Sequence, residues 1–449
     1  MTLNEKTKSM KQEAVLLDYK KTEVGIIPKD WIVLDIAKTM KLINGYGFKP
    51  SQWEKEGLPI IRIQNLNDAN APYNYFPGVI DTKFHVKNGD LLFAWSGSKG
   101  VSFGARVWQG KKAILNQHIF KIIPNENFIT ANYSYYVLRK VQEQIEKMAH
   151  GFKSSFVHVK KGDLENTPLP IPPKKEQTAI ANVLSDTDAL ITELEKLIAK
   201  KQAIKTATMQ QLLTGRTRLP QYSKHPDGTI KSYKHTELGL IPVDWIISTI
   251  DECANKVGSG KTPSGGSSVY TEAGHPFVRS QNIGWGKLEL SDIAYISDSI
   301  HKTFPGTELV ENDVLLNITG ASIGRCALSD FRIAGGNVNQ HVCIIRLNSD
   351  KLIPKLLVEL MNADIGQNQI DSFQAGGNRE GLNFSQVRQL RFAIPISLEE
   401  QNTIATILSD MDAELTALER KLAKFLDLKQ GMMQQLLTGR IRLPLEQQS

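Results

Sequence analysis

EQTAIANVLSDTDA, residues 176–189, is written a second time as EQNTIATILSDMDA, residues 400–413, with nine of fourteen positions identical. Upstream, TEVGIIPKDW (Thr22 to Trp31) returns as TELGLIPVDW (Thr236 to Trp245), sharing seven of ten. Downstream, TMQQLLTGRTRLP (Thr208 to Pro220) returns as MMQQLLTGRIRLP (Met432 to Pro444), sharing eleven of thirteen. Between these anchors only short islands persist: RIQN (Arg62 to Asn65) against RSQN (Arg279 to Asn282), GDLLFAWSGS (Gly89 to Ser98) against NDVLLNITGA (Asn312 to Ala321), and NQHI (Asn116 to Ile119) against NQHV (Asn339 to Val342). A common frame with individual interiors is the mark of a duplicated fold. The order is variable domain, helix, linker, variable domain, helix. Arg440 to Pro444 repeats the start of the linker, and Tyr19 to Glu23 resembles its end at Tyr233 to Glu237, so the chain ends are expected to lie close together.

Residues 175–213 and 399–437 contain no proline and carry apolar residues at helical spacing, which predicts two long helices. In the second, Ile404, Leu408, Met411, Leu415, Leu418, Leu422 and Phe425 alternate by four and three, a coiled-coil seam; in the first, Ile180, Leu184, Ile191, Leu194 and Ile198 hold matching places. Acid comes early and base late in each, as the helix dipole favours. Antiparallel pairing sets the acidic end of one beside the basic end of the other. Thirty-nine residues at about 1.5 Å each make a rod of roughly 58 Å, a natural ruler between two domains. Gly215 and Gly439 are positioned to cap these helices.

At 449 residues, with 41% hydrophobic and 22% charged, the chain has the composition of a multidomain globular protein. No apolar run approaches the roughly 20 residues of a membrane span, and a cytoplasmic location without membrane contact is expected. Three widely spaced cysteines (Cys253, Cys326, Cys343) indicate neither a disulfide framework nor a zinc site, so no metal is expected. The net charge of +7 favours a polyanionic partner.

Outside the helices, short apolar runs bounded by turn residues read as strands: LPIIRI, DLLFAW and HIFKIIP in the first half, HPFVRS, DVLLNITG and HVCIIRL in the second. Helical patches at Tyr133 to Met148 and Pro354 to Asn362 make each domain α+β. Residues with base-reading chemistry sit near the intervening loops: Arg62, Gln64, Asn65, Ser96, Ser98 and Lys99, then Arg279, Gln281, Asn282, Thr319 and Arg325. If the halves read different sequences, residues common to both hold a loop or a phosphate rather than specify a base. Unshared residues of Gly-rich loops are therefore the better readout candidates: Tyr46, Phe48, Lys49 and Trp53, or Ser259, Lys261, Ser264 and Ser267. His118 and His341 read as satisfied structural histidines.

Catalytic motifs are missing. GSGKT (Gly258 to Thr262) fails as a P-loop because Asn255 stands where a glycine is required. The Pro-Pro of Ile171-Pro172-Pro173-Lys174 lacks the flanks of an adenine methyltransferase motif, and no carboxylate pair stands out.

With the G-hydrophobic-I-P-x-x-W elements at Gly25 to Trp31 and Gly239 to Trp245, the P-x-x-x-E-Q-x-x-I helix start at Pro172 to Ile180, and MQQLLTGR at Met209 to Arg216 and Met433 to Arg440, the chain resembles the specificity subunit of type I restriction-modification systems over essentially its whole length. Pro395 departs, lying one residue further from Glu400. The resemblance implies an α+β architecture of two pseudo-repeated α/β target-recognition domains separated by two long antiparallel coiled-coil helices. The corresponding segments are 1–174 and 236–398 for the domains, 175–213 and 399–437 for the spacer helices, 214–235 for a linker and 438–449 for a tail. It further implies double-stranded DNA read as a split, asymmetric site, two methylation subunits docked on the helices, and two restriction subunits. Such a chain binds no cofactor itself; S-adenosylmethionine, ATP and Mg belong to its partners. The competing reading is a non-catalytic two-module scaffold on a coiled-coil stalk with an RNA or protein ligand.

Overall fold

The structure, a computed structural model, describes residues 18–68, 70–148, 156–374 and 381–444. The chain divides into two compact units, Met1–Glu195 with Arg420–Ser449 (unit 1) and Lys196–Glu419 (unit 2). The longest helices among the described residues are α1 (Ala131–Met148), α2 (Lys174–Leu212), α3 (Pro354–Asn362), α4 (Asp364–Gln374) and α5 (Leu398–Leu436). α2 and α5 each begin and end one residue before the span read from the sequence, and each contributes one half to either unit. The linear division into domain, helix and linker therefore differs from the spatial one: the linker falls in unit 2 and the described part of the tail, residues 438–444, in unit 1.

The predicted strands form. Unit 1 has an antiparallel sheet in the order Gly104–Val107, Leu91–Ala94, Ile119–Pro124, Met40–Asn44, and unit 2 repeats it as Cys326–Leu328, Val314–Asn317, Val342–Leu347, Ala254–Ser259. A second sheet in each unit contains one parallel pair, Leu58–Ile61 with Ala113–Leu115, and His275–Val278 with Asn337–Val338. The third shared element is a hairpin, Tyr19–Thr22 with Gly25–Pro28 and Tyr233–Thr236 with Gly239–Pro242. All three cysteines are free and buried. Burial pushes the Cys326 and Cys343 thiols upward in pKa, Cys343 to about 12, which makes them poor nucleophiles.

The repeated motifs are the pieces of one anchor, built twice. In unit 2, Arg218 Nη2 donates to Glu400 Oε2 (2.6 Å) and its Nη1 to Asp244 Oδ1 (2.7 Å). In unit 1, Arg442 Nη2 donates to Glu176 Oε2 (2.6 Å) and its Nη1 to Asp30 Oδ1 (3.0 Å). The next residue repeats the pattern. Gln177 Nε2 donates to Pro172 O (2.9 Å) and Phe128 O (2.8 Å), and Gln401 Nε2 donates to Pro395 O (2.8 Å) and Lys351 O (3.0 Å). The displaced Pro395 thus keeps the bond its counterpart makes.

Gly215 and Gly439 adopt left-handed φ of 68° and 67°, as caps should. They are also close approaches: an added Cβ would stand 2.6 Å from Pro242 Cδ and 2.4 Å from Pro28 Cδ. Tyr19 Oη donates to Gly439 O (3.0 Å), which closes the two ends of the described chain on each other.

The long helices run antiparallel within each unit. In unit 2, Lys201 pairs with Glu414 (2.8 Å) and Lys205 with Asp412; in unit 1, Asp188 pairs with Lys429. Of the seam residues, Ile180 and Leu184 are almost fully buried in a core that also holds Met433 and Leu436 of α5, and Ile404 and Leu408 in one that also holds Leu212 of α2. Ile191, Leu194 and Leu415 are buried, while Ile198, Met411, Leu418, Leu422 and Phe425 are half-buried.

Candidate nucleic-acid interface

The parallel strand pair brings the two polar islands of each unit together. Asn116 N–H donates to Ile61 O (3.1 Å), and in unit 2 Asn339 N–H donates to Val278 O (3.0 Å). Gln117 Nε2 lies 3.3 Å from His118 Nε2, as does Gln340 Nε2 from His341 Nε2. The loop after the first sheet strand runs against the same turn. At Gly45 an added Cβ would meet Asn116 O at 2.0 Å, and at Gly260 it would meet Val338 O at 1.8 Å, so backbone contact there demands glycine.

Shared residues hold the corner. Asn65 and Asn282 are buried; the Oδ1 of each accepts the N–H of Arg62 (3.0 Å) or Arg279 (2.9 Å). Arg62 Nη1 donates to Asn74 Oδ1 (2.9 Å) and Arg279 Nη2 to Asp292 O (2.6 Å). An aromatic ring backs each guanidinium at the same register, Trp53 at 4.9 Å from Arg62 and Tyr270 at 5.4 Å from Arg279. Gln64 Nε2 donates to Pro72 O (3.0 Å), and Gln281 Nε2 donates to Asp292 Oδ2.

In unit 1, Phe48, Trp53, Arg62 and Gln64 line a pocket of about 330 Å³ with Asn116, Gln117 and His118. Two buried polar atoms there, Trp53 Nε1 and His118 Nδ1, have no hydrogen-bond partner. His118 is thus not the satisfied residue expected, whereas His341 Nδ1 lies 2.6 Å from Thr319 Oγ1. Phe48 is a correction: at 8% exposure it packs on Ile60 and Ile114 and serves as a wall of that pocket rather than standing out on the loop. Tyr46 and Lys49 are exposed on the same loop.

Ser96, Ser98 and Lys99 stand apart. Ser96 is buried and Ser98 donates its N–H to Ser102 Oγ (2.6 Å), within a strand paired to Phe156–His158; Lys99 lines a separate charged cleft with α1 and the end of α5. In unit 2, Ser264 and Ser267 are exposed, Ser259 Oγ donates to Gly260 O (3.4 Å), and Lys261 Nζ lies 5.2 Å from the Phe304 ring.

Two features escaped the sequence reading. The Arg218 and Arg442 anchors were signalled only by an arginine, an aspartate and a glutamate recurring in three separate shared motifs. The other is Trp285, 52% exposed at the tip of a turn closed by the Gly284 N–H to Lys287 O bond (2.9 Å). Gly286 N–H donates to Cys326 O (2.9 Å), which sets this turn beside Arg325, whose guanidinium has no side-chain partner among the described residues. A tryptophan flanked by glycines in a polar loop was the available signal. Among the described residues no group of three His, Cys, Asp or Glu is placed to hold a metal, and no helix is long and apolar enough to cross a membrane.

A doubled α+β module whose anchors coincide and whose exposed loops differ is a two-part recognition protein. The family model of the type I restriction modification DNA specificity domain matches it twice, at residues 28–206 and 242–426. The chain belongs to that family, as a specificity subunit of a type I restriction-modification system. It is 26% identical over 425 residues to the type I restriction enzyme MjaVIII specificity subunit of Methanocaldococcus jannaschii, covering 93% of this chain and 94% of that one. To the EcoBI specificity subunit of Escherichia coli it is 25% identical over 428 residues, covering 93% and 86%. The fold matches the crystal structure of the S subunit from M. genitalium with a TM-score of 0.58 at 17% identity, covering 90% of this chain and 96% of that one.

Proposed function

We propose that each unit reads one half of a split, asymmetric site on double-stranded DNA, and that the chain supplies address while partner subunits supply chemistry. The carrying observation is that the shared asparagines Asn65 and Asn282 hold the corner in both units through the N–H of Arg62 or Arg279, while the unshared Tyr46, Lys49, Ser264 and Ser267 stand exposed on the adjoining loops. In this reading two methylation subunits bring S-adenosylmethionine and modify adenine, and two restriction subunits bring ATP and Mg. This chain performs no bond-making step, and the complex works in the cytoplasm.

The test is a map of methylated adenines in a host expressing this chain with its methylation subunit. A bipartite motif is expected. Replacing residues 236–391 with the segment of a relative that reads another target should change one half of the motif and leave the other intact. Loss of both halves in a folded, methylation-active chimaera refutes independent reading.

A further inference from the structure

The corner asparagine of unit 2, Asn282, opens a short hairpin whose root is fixed in the core. Ile283 is 1% exposed and bridges to Leu288, which packs on the same apolar cluster, and Glu289 N–H donates to Asn282 O (2.9 Å). The tip is Gly284-Trp285-Gly286-Lys287. Gly286 holds a left-handed φ of 72°, a conformation that glycine adopts without strain. Its N–H donates to Cys326 O, which also accepts from Asn362 Nδ2 at the end of α3 (2.8 Å); Cys326 N–H donates in turn to Asn362 Oδ1 (3.1 Å). Cys326 is fully buried, so the tip is tied to the interior of the unit. The Trp285 indole makes no hydrogen bond or ring contact among the described residues. A tryptophan left half in water by so firm a support is held out, not left out.

The surroundings of the indole say what it can meet. A glycine on either side makes the tip a narrow projection, whose backbone can come close to a partner on both flanks. Lys287 is paired with Glu289 (3.1 Å), but half-buried Arg325, next in sequence to the tethering Cys326, keeps its guanidinium unpaired among the described residues. An aromatic face beside a free guanidinium suits a stacked base and its phosphate. The tip also grows directly from the recognition corner, because Asn282 Nδ2 donates to Glu289 O (2.9 Å) and Asn317 Nδ2 to Ser280 O (2.9 Å).

Unit 1 has neither part of this arrangement. Asp68 stands three residues after Asn65, where Trp285 stands three after Asn282, and its carboxylate accepts the N–H of Asn70 (2.8 Å). Gly104 lies opposite Ala94 in the sheet as Arg325 lies opposite Asn317, so a glycine takes the place of the arginine. A carboxylate at that tip repels a phosphate, which confines the feature to one half of the molecule. We infer that Trp285 is a wedge: its indole enters one base step of the half-site bound by unit 2 and unstacks it, while Arg325 takes an adjoining phosphate. Such a residue reads how readily a step deforms rather than the edge of a base. The inference rests on the functional reading above for duplex DNA as the ligand of unit 2.

A nick scan tests this with every base left in place. The full chain, with its methylation subunit, is titrated with duplexes carrying the mapped motif and a single backbone nick at each step in turn. A nick at the wedged step removes much of the cost of unstacking, so wild type should bind that duplex at least about threefold more tightly than the intact one. The step should lie in the half-site of unit 2, with none in the other half. Trp285→Ala should abolish the gain, weaken binding to intact duplex by about tenfold and reduce the bend seen by end-to-end energy transfer by at least about 20°. Trp285→Phe should keep the nick-sensitive step, and Arg325→Gln should keep it while lowering the salt dependence of binding by about one phosphate. Circular dichroism and melting should not change, since both side chains stand outside the core. A Trp285→Ala complex with unchanged affinity and bend, or with the nick-sensitive step still present, overturns the wedge and leaves the functional reading intact. Loss of the methylation subunit by Trp285→Ala also overturns it, by making the tip a protein contact. A wild-type complex that binds no bipartite duplex takes down the functional reading and this inference with it.

Discussion

Arg218→Met isolates the anchor at the foot of α5. The Arg218 and Glu400 side chains are each 3% exposed, so the substitution strands a carboxylate that water cannot reach, and Asp244 loses both bonds from Arg218 (2.7 and 3.2 Å) while keeping Lys231 at 2.8 Å. Breaking one partner out of a buried ion pair costs about 3–5 kcal/mol. Unit 2 holds residues 196–419, and for a unit of that size each kcal/mol moves the melting temperature by about 2–4 °C, so its calorimetric transition should fall by roughly 6–20 °C. Glu400→Gln in the same chain removes the stranded charge and should recover more than half of the loss. Arg442→Met should cost less in unit 1: its side chain is 39% exposed, and Glu176 keeps the Trp31 Nε1 bond at 3.1 Å. Trp245 Nε1 has no corresponding partner. A fall of under about 2 °C for Arg218→Met, or a double variant no better than the single, would show that the anchor does not hold the unit together.

Burial pushes the Glu359 carboxyl on α3 up to about 7, with Lys205 pulling it down and Asp412 pushing it further up. The folded state keeps this proton after the unfolded chain has released it, so stability is unaffected at low pH and is lost as pH rises from about 4.5 to about 7. Glu359→Gln should therefore stabilise by about 1–3 kcal/mol at pH 8 and by little at pH 4.5, measured by urea unfolding; a pH-independent effect refutes the assignment. Trp285→Ala should relax one or two positions of the unit 2 half-site, each by about 1–3 kcal/mol of discrimination, and leave the other half unchanged in the methylation map. An unaltered motif removes Trp285 from readout.

Much of the architecture was legible because repetition needs no outside reference. The strands at Leu91–Ala94 and Val314–Asn317 were readable as apolar runs, since both are buried over their whole length. The seam was less legible. Periodicity locates an apolar stripe but not what covers it, and the stripe at Ile180 and Leu184 is covered by the unit's own core. Phe48 was chosen as an unshared aromatic of a Gly-rich loop; Gly45 of that loop lets the backbone press on Asn116, and Phe48 packs inward on Ile60 and Ile114. Arg218 was missed because Glu400 is 182 residues away, and ion pairs at that range leave no local pattern.

The same comparison explains how one frame can serve different targets. The residues that stabilise a unit, such as Arg218 with Glu400 and Gln401 with Pro395 O, lie where the long helix meets the hairpin and the closing strand. Those that hold the corner, Asn65 and Asn282, spend their hydrogen bonds on backbone groups and leave none for a base. Even the aromatic behind the corner arginine can change from Trp53 to Tyr270 without disturbing the bond between Arg62 or Arg279 and its asparagine. Exposed residues such as Lys49, Ser264 and Trp285 contribute little to either network, so their replacement costs little stability. Sequence preference can therefore drift at the loop tips while the frame that positions them is held by buried charge and glycine contacts, which tolerate almost no substitution.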